Sequence, residues 1–204
     1  MRTAGLILGA GAGSRFRGEK LAADLDGRPL LAHVVGALAA VPLDELLVVL
    51  RPGASAALRA VVSGPIVRVV DNPDADGGLS TSLRLGIATL AAAPEPPDLV
   101  VVALGDQPRV RAAVVRELLA AAATPGARPF TVPAYAAGGG RNPVVLARVA
   151  FGLAGDTTGD AGLGPLLAAH PELVTVVPVT GGNPDVDTPA ELARLAAEGP
   201  AGRS

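Results

Sequence analysis

Residues 3–20 read Thr3-Ala4-Gly5-Leu6-Ile7-Leu8-Gly9-Ala10-Gly11-Ala12-Gly13-Ser14-Arg15-Phe16-Arg17-Gly18-Glu19-Lys20. The apolar run over 3–8 has the length of a buried strand, and the glycines that follow end it in a loop. Further runs of strand length recur at 45–50, 66–70, 99–104, 129–132 and 173–177. Between them, longer periodic patterns predict helices over 30–40, 54–62, 79–92, 110–123 and 163–169. A last helix starts at Thr188, where Thr188-Pro189-Ala190-Glu191 supplies an N-cap, a proline at the first helical position and an acidic first turn. Strands alternating with helices imply an α/β fold: a single domain with a mostly parallel, doubly wound sheet and helices on both faces. The expected domain covers 1–198, with a flexible tail at 199–204.

Composition narrows the class. The chain has 204 residues, net charge −2 and 50% hydrophobic residues, so it is long enough for a sizeable core and too apolar to be disordered. A near-neutral balance argues against a nucleic-acid or anionic-membrane partner. No cysteine is present, which excludes disulfides, Fe–S clusters and cysteine zinc sites. The two histidines, His33 and His170, offer little for a histidine metal site. The longest charge-free apolar stretch, 29–43, is broken by His33, Gly36 and Pro42 and falls short of the ~20 residues of a membrane span. Arg2 followed by 4–13 loosely imitates a leader peptide, but its glycines suit a strand entering a loop, and a cytoplasmic location is expected.

In an open parallel sheet, ligands bind beyond the carboxyl ends of the strands. The polar and glycine-rich segments fall there: 9–20 after the first strand, 71–82 after the third, and Gly105-Asp106-Gln107-Pro108 after the fourth. Three phosphate-binding designs compete for 9–20. A P-loop has its spacing between Gly13 and Gly18, but Glu19 stands where lysine belongs and Leu21 where a hydroxyl is needed. A dinucleotide fingerprint requires a helix opening within the glycines and an acid after the second strand, where Arg51-Pro52 stands instead. The third design is an extended loop around a nucleoside triphosphate with its cations on the phosphates.

That loop resembles the Leu-x-Ala-Gly-x-x-x-Arg-(Met/Phe)-Gly-x-x-Lys pattern of MobA-like nucleotidyltransferases. Further segments agree in order: 21–30, Asn72-Pro73-Asp74, the 78–84 run, 104–108, Arg141-Asn142-Pro143-Val144, Gly159-Asp160 and Asp185-Val186-Asp187-Thr188-Pro189. The resemblance spans about 4–196 and implies a nucleotide-diphospho-sugar transferase-like fold. Ala10 and the Gly-Leu-Ser-Thr-Ser-Leu run resemble the branch that makes the cytidylyl form of the molybdenum cofactor. Two departures stand out. Arg17 fills a place usually held by glycine, and Leu163-Gly164 replaces an Ala-Arg pair, so an acceptor-side cation is missing.

The resemblance implies transfer of CMP from CTP to molybdopterin with Mg²⁺ and release of pyrophosphate. Arg15, Lys20 and Asp106 are the expected catalytic residues. Leu8, Gly9, Ala10, Gly11, Ala12 and Gly13 would cradle the nucleotide with Lys20 and Asp106, while Asp71, Asn72, Gly78, Ser80 and Ser82 would read the base. Arg141, Asn142, Pro143 and Asp160 would face the acceptor, and Asp106 and Asp187 would hold the metal. A maturation chaperone or a target molybdenum hydroxylase is an expected partner. Blander roles compete: Ser80 and Ser82 as helix caps, and Asp187 as the residue before the Thr188 cap. GTP, another phosphorylated acceptor, or nucleotide binding without turnover are the alternative readings. Lys20 is the single lysine against 16 arginines, standing where a triphosphate loop calls for a compact ammonium.

Overall fold

The computed structural model describes residues 1–11, 13, 16, 18–160 and 162–199. Ala12, Ser14, Arg15, Arg17, Ala161 and the 200–204 part of the expected tail lie outside the described residues. In chain order the elements are β1 (Thr3–Gly9), β2 (Asp24–Leu25), β3 (Arg28–Pro29), α1 (Leu30–Ala39), β4 (Glu45–Leu50), α2 (Ala56–Val61), β5 (Val67–Asp71) and α3 (Leu79–Ala91). They continue as β6 (Leu99–Leu104), α4 (Ala112–Ala122), β7 (Phe130–Tyr135), β8 (Val144–Ala147), α5 (Phe151–Gly155), α6 (Gly164–Ala169), β9 (Val174–Val179) and α7 (Pro189–Ala197).

Every residue of β1 is buried, as befits a strand covered on both faces. It lies between β4 and β6, parallel to both, in a sheet ordered β5-β4-β1-β6-β8-β7-β9. Side chains alternate across it. Leu6 and Leu8 join the core beneath α3, α5 and α6 with Leu83, Phe151 and Leu167. Ile7 joins the opposite core beneath α1, α2 and α4 with Val34, Leu58 and Leu118. The expected single-domain, doubly wound architecture is present, and no helix among the described residues is long and apolar enough to cross a membrane.

Four elements were not expected. β8 pairs antiparallel with both β6 and β7 and interrupts the otherwise parallel sheet. Its four residues, Val-Val-Leu-Ala, are too few for a periodicity, and only the slot between β6 and β7 makes them a strand. α5 is a five-residue helix of the same kind, and β2 and β3 form a small two-stranded hairpin ahead of α1. The remaining strands and helices fall within a few residues of their expected positions.

α3 lies very close to β1. A Cβ added to Gly86 would sit 2.4 Å from Leu6 Cδ1, so the helix reaches its packing distance only because residue 86 has no side chain. Gly86→Val is expected to destabilise the fold by about 1–3 kcal/mol through overpacking. Chemical denaturation measures it, and an unchanged midpoint would contradict the close approach.

Candidate active site

The chain leaves β1 toward β4 on one side and, after β5 and α3, returns to β6 on the other. The loops at this reversal form the crevice where open α/β sheets bind ligands. Lys20 emerges there at the start of a short 3₁₀ turn, Lys20–Ala22. Gly13 (φ +56°) lies against it: a Cβ at Gly13 would stand 2.9 Å from Lys20 Cβ, so the loop closes over the lysine only with glycine here.

Asp106 follows β6 directly. Gly105 N donates to Leu8 O at 3.0 Å, which carries the β1–β6 pairing past the strand end and sets the Asp106 side chain over the loop. Asp106 O accepts from Val186 N at 3.0 Å, bringing the 185–187 segment alongside. Asp187 is then held by its own backbone: its N–H donates to Glu191 Oε2 at 2.7 Å, next to the capping box of Thr188 and Glu191 that opens α7. Both readings of this stretch therefore meet in one structure, since the cap positions the acid.

Lys20 Nζ donates to Asp106 Oδ2 at 2.7 Å and to Asp187 Oδ1 at 3.0 Å. The lysine side chain is only 10% exposed, so these charge-assisted bonds are well shielded. Burial works against its charge, but the Asp106 carboxylate, its hydrogen bond and Asp187 outweigh it, and the ammonium is held above its ordinary value. Asp106 Oδ1 is buried with no hydrogen-bond partner. A carboxylate oxygen left so is costly unless something else coordinates it.

The donor set fits a hard divalent cation. Mg²⁺ is commonly held by one or two protein carboxylates, with waters and substrate phosphates completing the octahedron. Asp106 and Asp187 offer two, and Asp106 Oδ1 is an oxygen awaiting a partner. Among the described residues no group of three or more carboxylate or histidine side chains forms a ready-made cage.

On the side expected to take the base, a cavity of about 230 Å³ is lined by Ala10, Gly11, Arg51, Asp76, Gly78, Ser82 and Asp160 among others. Gly78 (φ +95°) is required at its edge, because a Cβ there would lie 2.5 Å from Asp160 Oδ1 and 2.8 Å from the Gly159 carbonyl carbon. Other residues expected to read the base also make contacts within the protein. Buried Asn72 donates to Thr81 Oγ1 at 2.8 Å and Ser82 Oγ at 3.0 Å, tying the end of β5 to the first turn of α3. Ser80 N donates to Gly159 O, and Asp71 takes a 2.6 Å bond from Arg59 on α2.

On the side expected to face the acceptor, Arg141, Asn142 and Asp160 line a cavity of about 430 Å³ with Leu8, Leu79 and Leu104. Pro143, after the cis Asn142–Pro143 peptide, is buried and does not line it. Tyr135 OH donates to Asn142 O at 3.0 Å, and burial, offset by Arg111 and Asn183, pushes its phenol up to about 12. Leu8, Gly9, Gly11, Lys20, Leu21, Leu79, Leu104 and Asp106 surround a smaller space of about 80 Å³ between the two larger cavities. The expected Arg15 and Ala12 lie outside the described residues.

Two residues escaped the sequence reading. Arg51, at the end of β4, lines the base-side cavity, and its Nε and Nη2 are buried without partners, while Nη1 bonds Asp76 at 2.8 Å. Its position just beyond a buried strand was the available signal. Asp185 accepts from Gln107 Nε2 at 2.7 Å, and burial together with the Asp106 and Asp187 charges raises its carboxyl, opposed by that hydrogen bond and Lys20. The signal was a second acid two residues before Asp187.

The chain is similar to known proteins. The chain is 27% identical to the crystal structure of Rv0371c from Mycobacterium tuberculosis H37Rv, covering 97% of this chain and 98% of that one with a TM-score of 0.80. A manganese complex of Rv0371c is equally similar, at 27% identity and TM-score 0.80. Among curated proteins it is 37% identical over 119 residues to bifunctional protein GlmU of Burkholderia thailandensis, covering 57% of this chain and 25% of GlmU. It is 34% identical over 134 residues to bifunctional enzyme IspD/IspF of Gluconobacter oxydans, covering 61% of this chain and 32% of that enzyme. The chain thus spans about a quarter to a third of the length of the curated relatives it matches. The MobA-like NTP transferase domain matches residues 5–174. With Lys20, the strand-end Asp106 and the helix-capping segment's Asp187 converging at the crevice, the chain belongs to the MobA-like NTP transferase domain family.

Proposed function

We propose that this cleft transfers CMP from CTP to the phosphate of molybdopterin and releases pyrophosphate, with Mg²⁺ as the metal. The observation that carries the reading is the Lys20–Asp106–Asp187 cluster with an unpartnered Asp106 oxygen beside the glycine loop. The choice of CTP and molybdopterin is supported by the motif resemblance, and that of a divalent metal by the carboxylate pair and the manganese form of a relative.

In this reaction an acceptor phosphate oxygen forms a bond to the α-phosphorus of CTP, and the bond from that phosphorus to the bridging oxygen breaks. A phosphate monoester has its second pKa at about 6, so the nucleophile is already ionised and no strong base is needed. Neither histidine takes part: His33 Nε2 contacts Leu25 O and His170 pairs with Glu172. The protein's task is positioning and charge stabilisation. The loop at 9–13 holds the triphosphate, Lys20 neutralises the charge that builds on the leaving pyrophosphate, and Asp106 and Asp187 hold the metal. Bound Mg²⁺ supplies charge neutralisation across the phosphates.

The test is pyrophosphate release by the pure protein with Mg²⁺, molybdate-loaded molybdopterin, and CTP or GTP. Release with CTP exceeding that with GTP by at least about tenfold is expected, a ratio within reach of a few base contacts. No release with CTP, or release with GTP alone, overturns the substrate assignment.

A further inference from the structure

Beside the two acids runs a chain of polar side chains that the reaction above does not use. Gln107, next to Asp106, and Asn183 are each only 2% exposed, and neither lines any of the three cavities described above. Gln107 Nε2 donates to Asp185 Oδ1 at 2.7 Å, and Gln107 Oε1 accepts from Asn183 Nδ2 at 3.2 Å. The same Asn183 Nδ2 donates to Asn142 O at 3.4 Å, a carbonyl that also accepts from Tyr135 OH at 3.0 Å. The glycine stretch at 138–140 packs against the chain. A Cβ at Gly140 would stand 3.9 Å from Gln107 Nε2, and one at Gly139 the same distance from Asn183 N.

The donors point one way along these bonds. An ionised carboxylate only accepts, so Gln107 must present its NH₂ to Asp185 and its oxygen to Asn183. Asn183 must in turn present its own NH₂, because Gln107 Oε1 and Asn142 O are both acceptors. Reversing either amide sets oxygen against oxygen. A buried network with a single donor order fixes the segments that it joins.

The segments joined here carry the acids. Gln107 follows Asp106, Asp185 stands two residues before Asp187, and Val186 N already donates to Asp106 O at 3.0 Å. The bond from Gln107 to Asp185 is thus a second tie between the end of β6 and the 185–187 segment. It acts against a real opponent. Burial and the charges of Asp106 and Asp187 raise the Asp185 carboxyl, and the Gln107 bond favours its ionised form.

We propose that Gln107 and Asn183 are positioning residues, whose buried amides set the separation of Asp106 and Asp187 for a divalent cation and tie it to the loop that carries Arg141. The inference rests on reading those two acids as the holders of the metal. Groups behind a metal's ligands orient them and typically govern about 10–100-fold of its affinity. Here the effect passes through Asp187, since both amides lie away from the cavities.

The experiment is Mn²⁺ titration of the whole chain without nucleotide, followed by paramagnetic resonance. Gln107→Glu keeps the shape but sets a carboxylate against Asp185, and is expected to weaken Mn²⁺ binding about tenfold. A negative charge acting only through its field would tighten it. Gln107→Glu combined with Asp185→Asn restores a donor–acceptor pair at the parent's net charge, and is expected to return the affinity to within about threefold of the parent. Asn183→Asp breaks the chain at its far end and stands in, with the same loss expected, if Gln107→Glu fails to fold. Affinity unchanged or raised in the single variant, or still weak in the swapped pair, overturns the inference. A parent that binds no Mn²⁺ overturns the metal site and the inference together. The outcome separates from that of the proposed reaction. Weakening and rescue without CMP transfer refute only the named substrates, and CMP transfer with Mn²⁺ affinity indifferent to these variants refutes only the positioning chain.

Discussion

Asp106→Asn is expected to lower kcat for pyrophosphate release by on the order of 10³-fold with the fold intact. The side chain stands at the end of β6 with one oxygen on Lys20 and the other buried and unpartnered. Asparagine keeps the shape and removes the charge, so the divalent cation loses the more buried of its two carboxylates. Backbone bonds place residue 106 through Gly105 N and Asp106 O, and neither depends on the side chain. A cooperative melting curve, its midpoint lowered by loss of the shielded Lys20–Asp106 charge pair, should accompany the loss of turnover. Mn²⁺ titration followed by paramagnetic resonance should show weakened metal binding in the same variant. Turnover within tenfold of the parent would remove Asp106 from the metal site.

Lys20→Met is expected to cost about 10²–10³-fold in kcat/KM, with a raised KM for the nucleotide, because it deletes the ammonium the triphosphate meets. Lys20→Arg should not restore activity: a planar fork does not replace a point charge seated between two carboxylates 2.7 and 3.0 Å away. A fully active arginine variant would refute this. The pH dependence has a defined sign. Lys20 is held above its ordinary 10.5, so its contribution to stability is complete below that value and fades as pH rises through the folded-state value. The activity profile between pH 6 and 9, windows set well below that value, should show no limb from this lysine.

The glycine loop, Lys20, Asp106 and Asp187 were legible because each is read from its own few residues: glycines after an apolar run, an acid at a strand end, an acid before a capping box. Arg51 and Asp185 were not, because nothing in their immediate neighbours separates a cavity-lining side chain from a solvated one. Asn72 and Ser82 carry a contact that was not legible. Polar residues beyond β5 suggest base recognition, and their side chains also bond one another across the loop to α3, which no local pattern reveals. Asp71 likewise turned to Arg59 on the neighbouring helix.

The sequence by itself determined the alternation of strands and helices, and hence a parallel sheet with its polar loops at one end. Apolar periodicity, caps and glycine breaks are local properties of the chain. Only the tertiary structure decided that β8 runs antiparallel between β6 and β7, since four apolar residues take their conformation from the slot that receives them. It alone brought Lys20 to carboxylates 86 and 167 positions away. Contacts at such separation arise from how layers pack, a property no single segment carries.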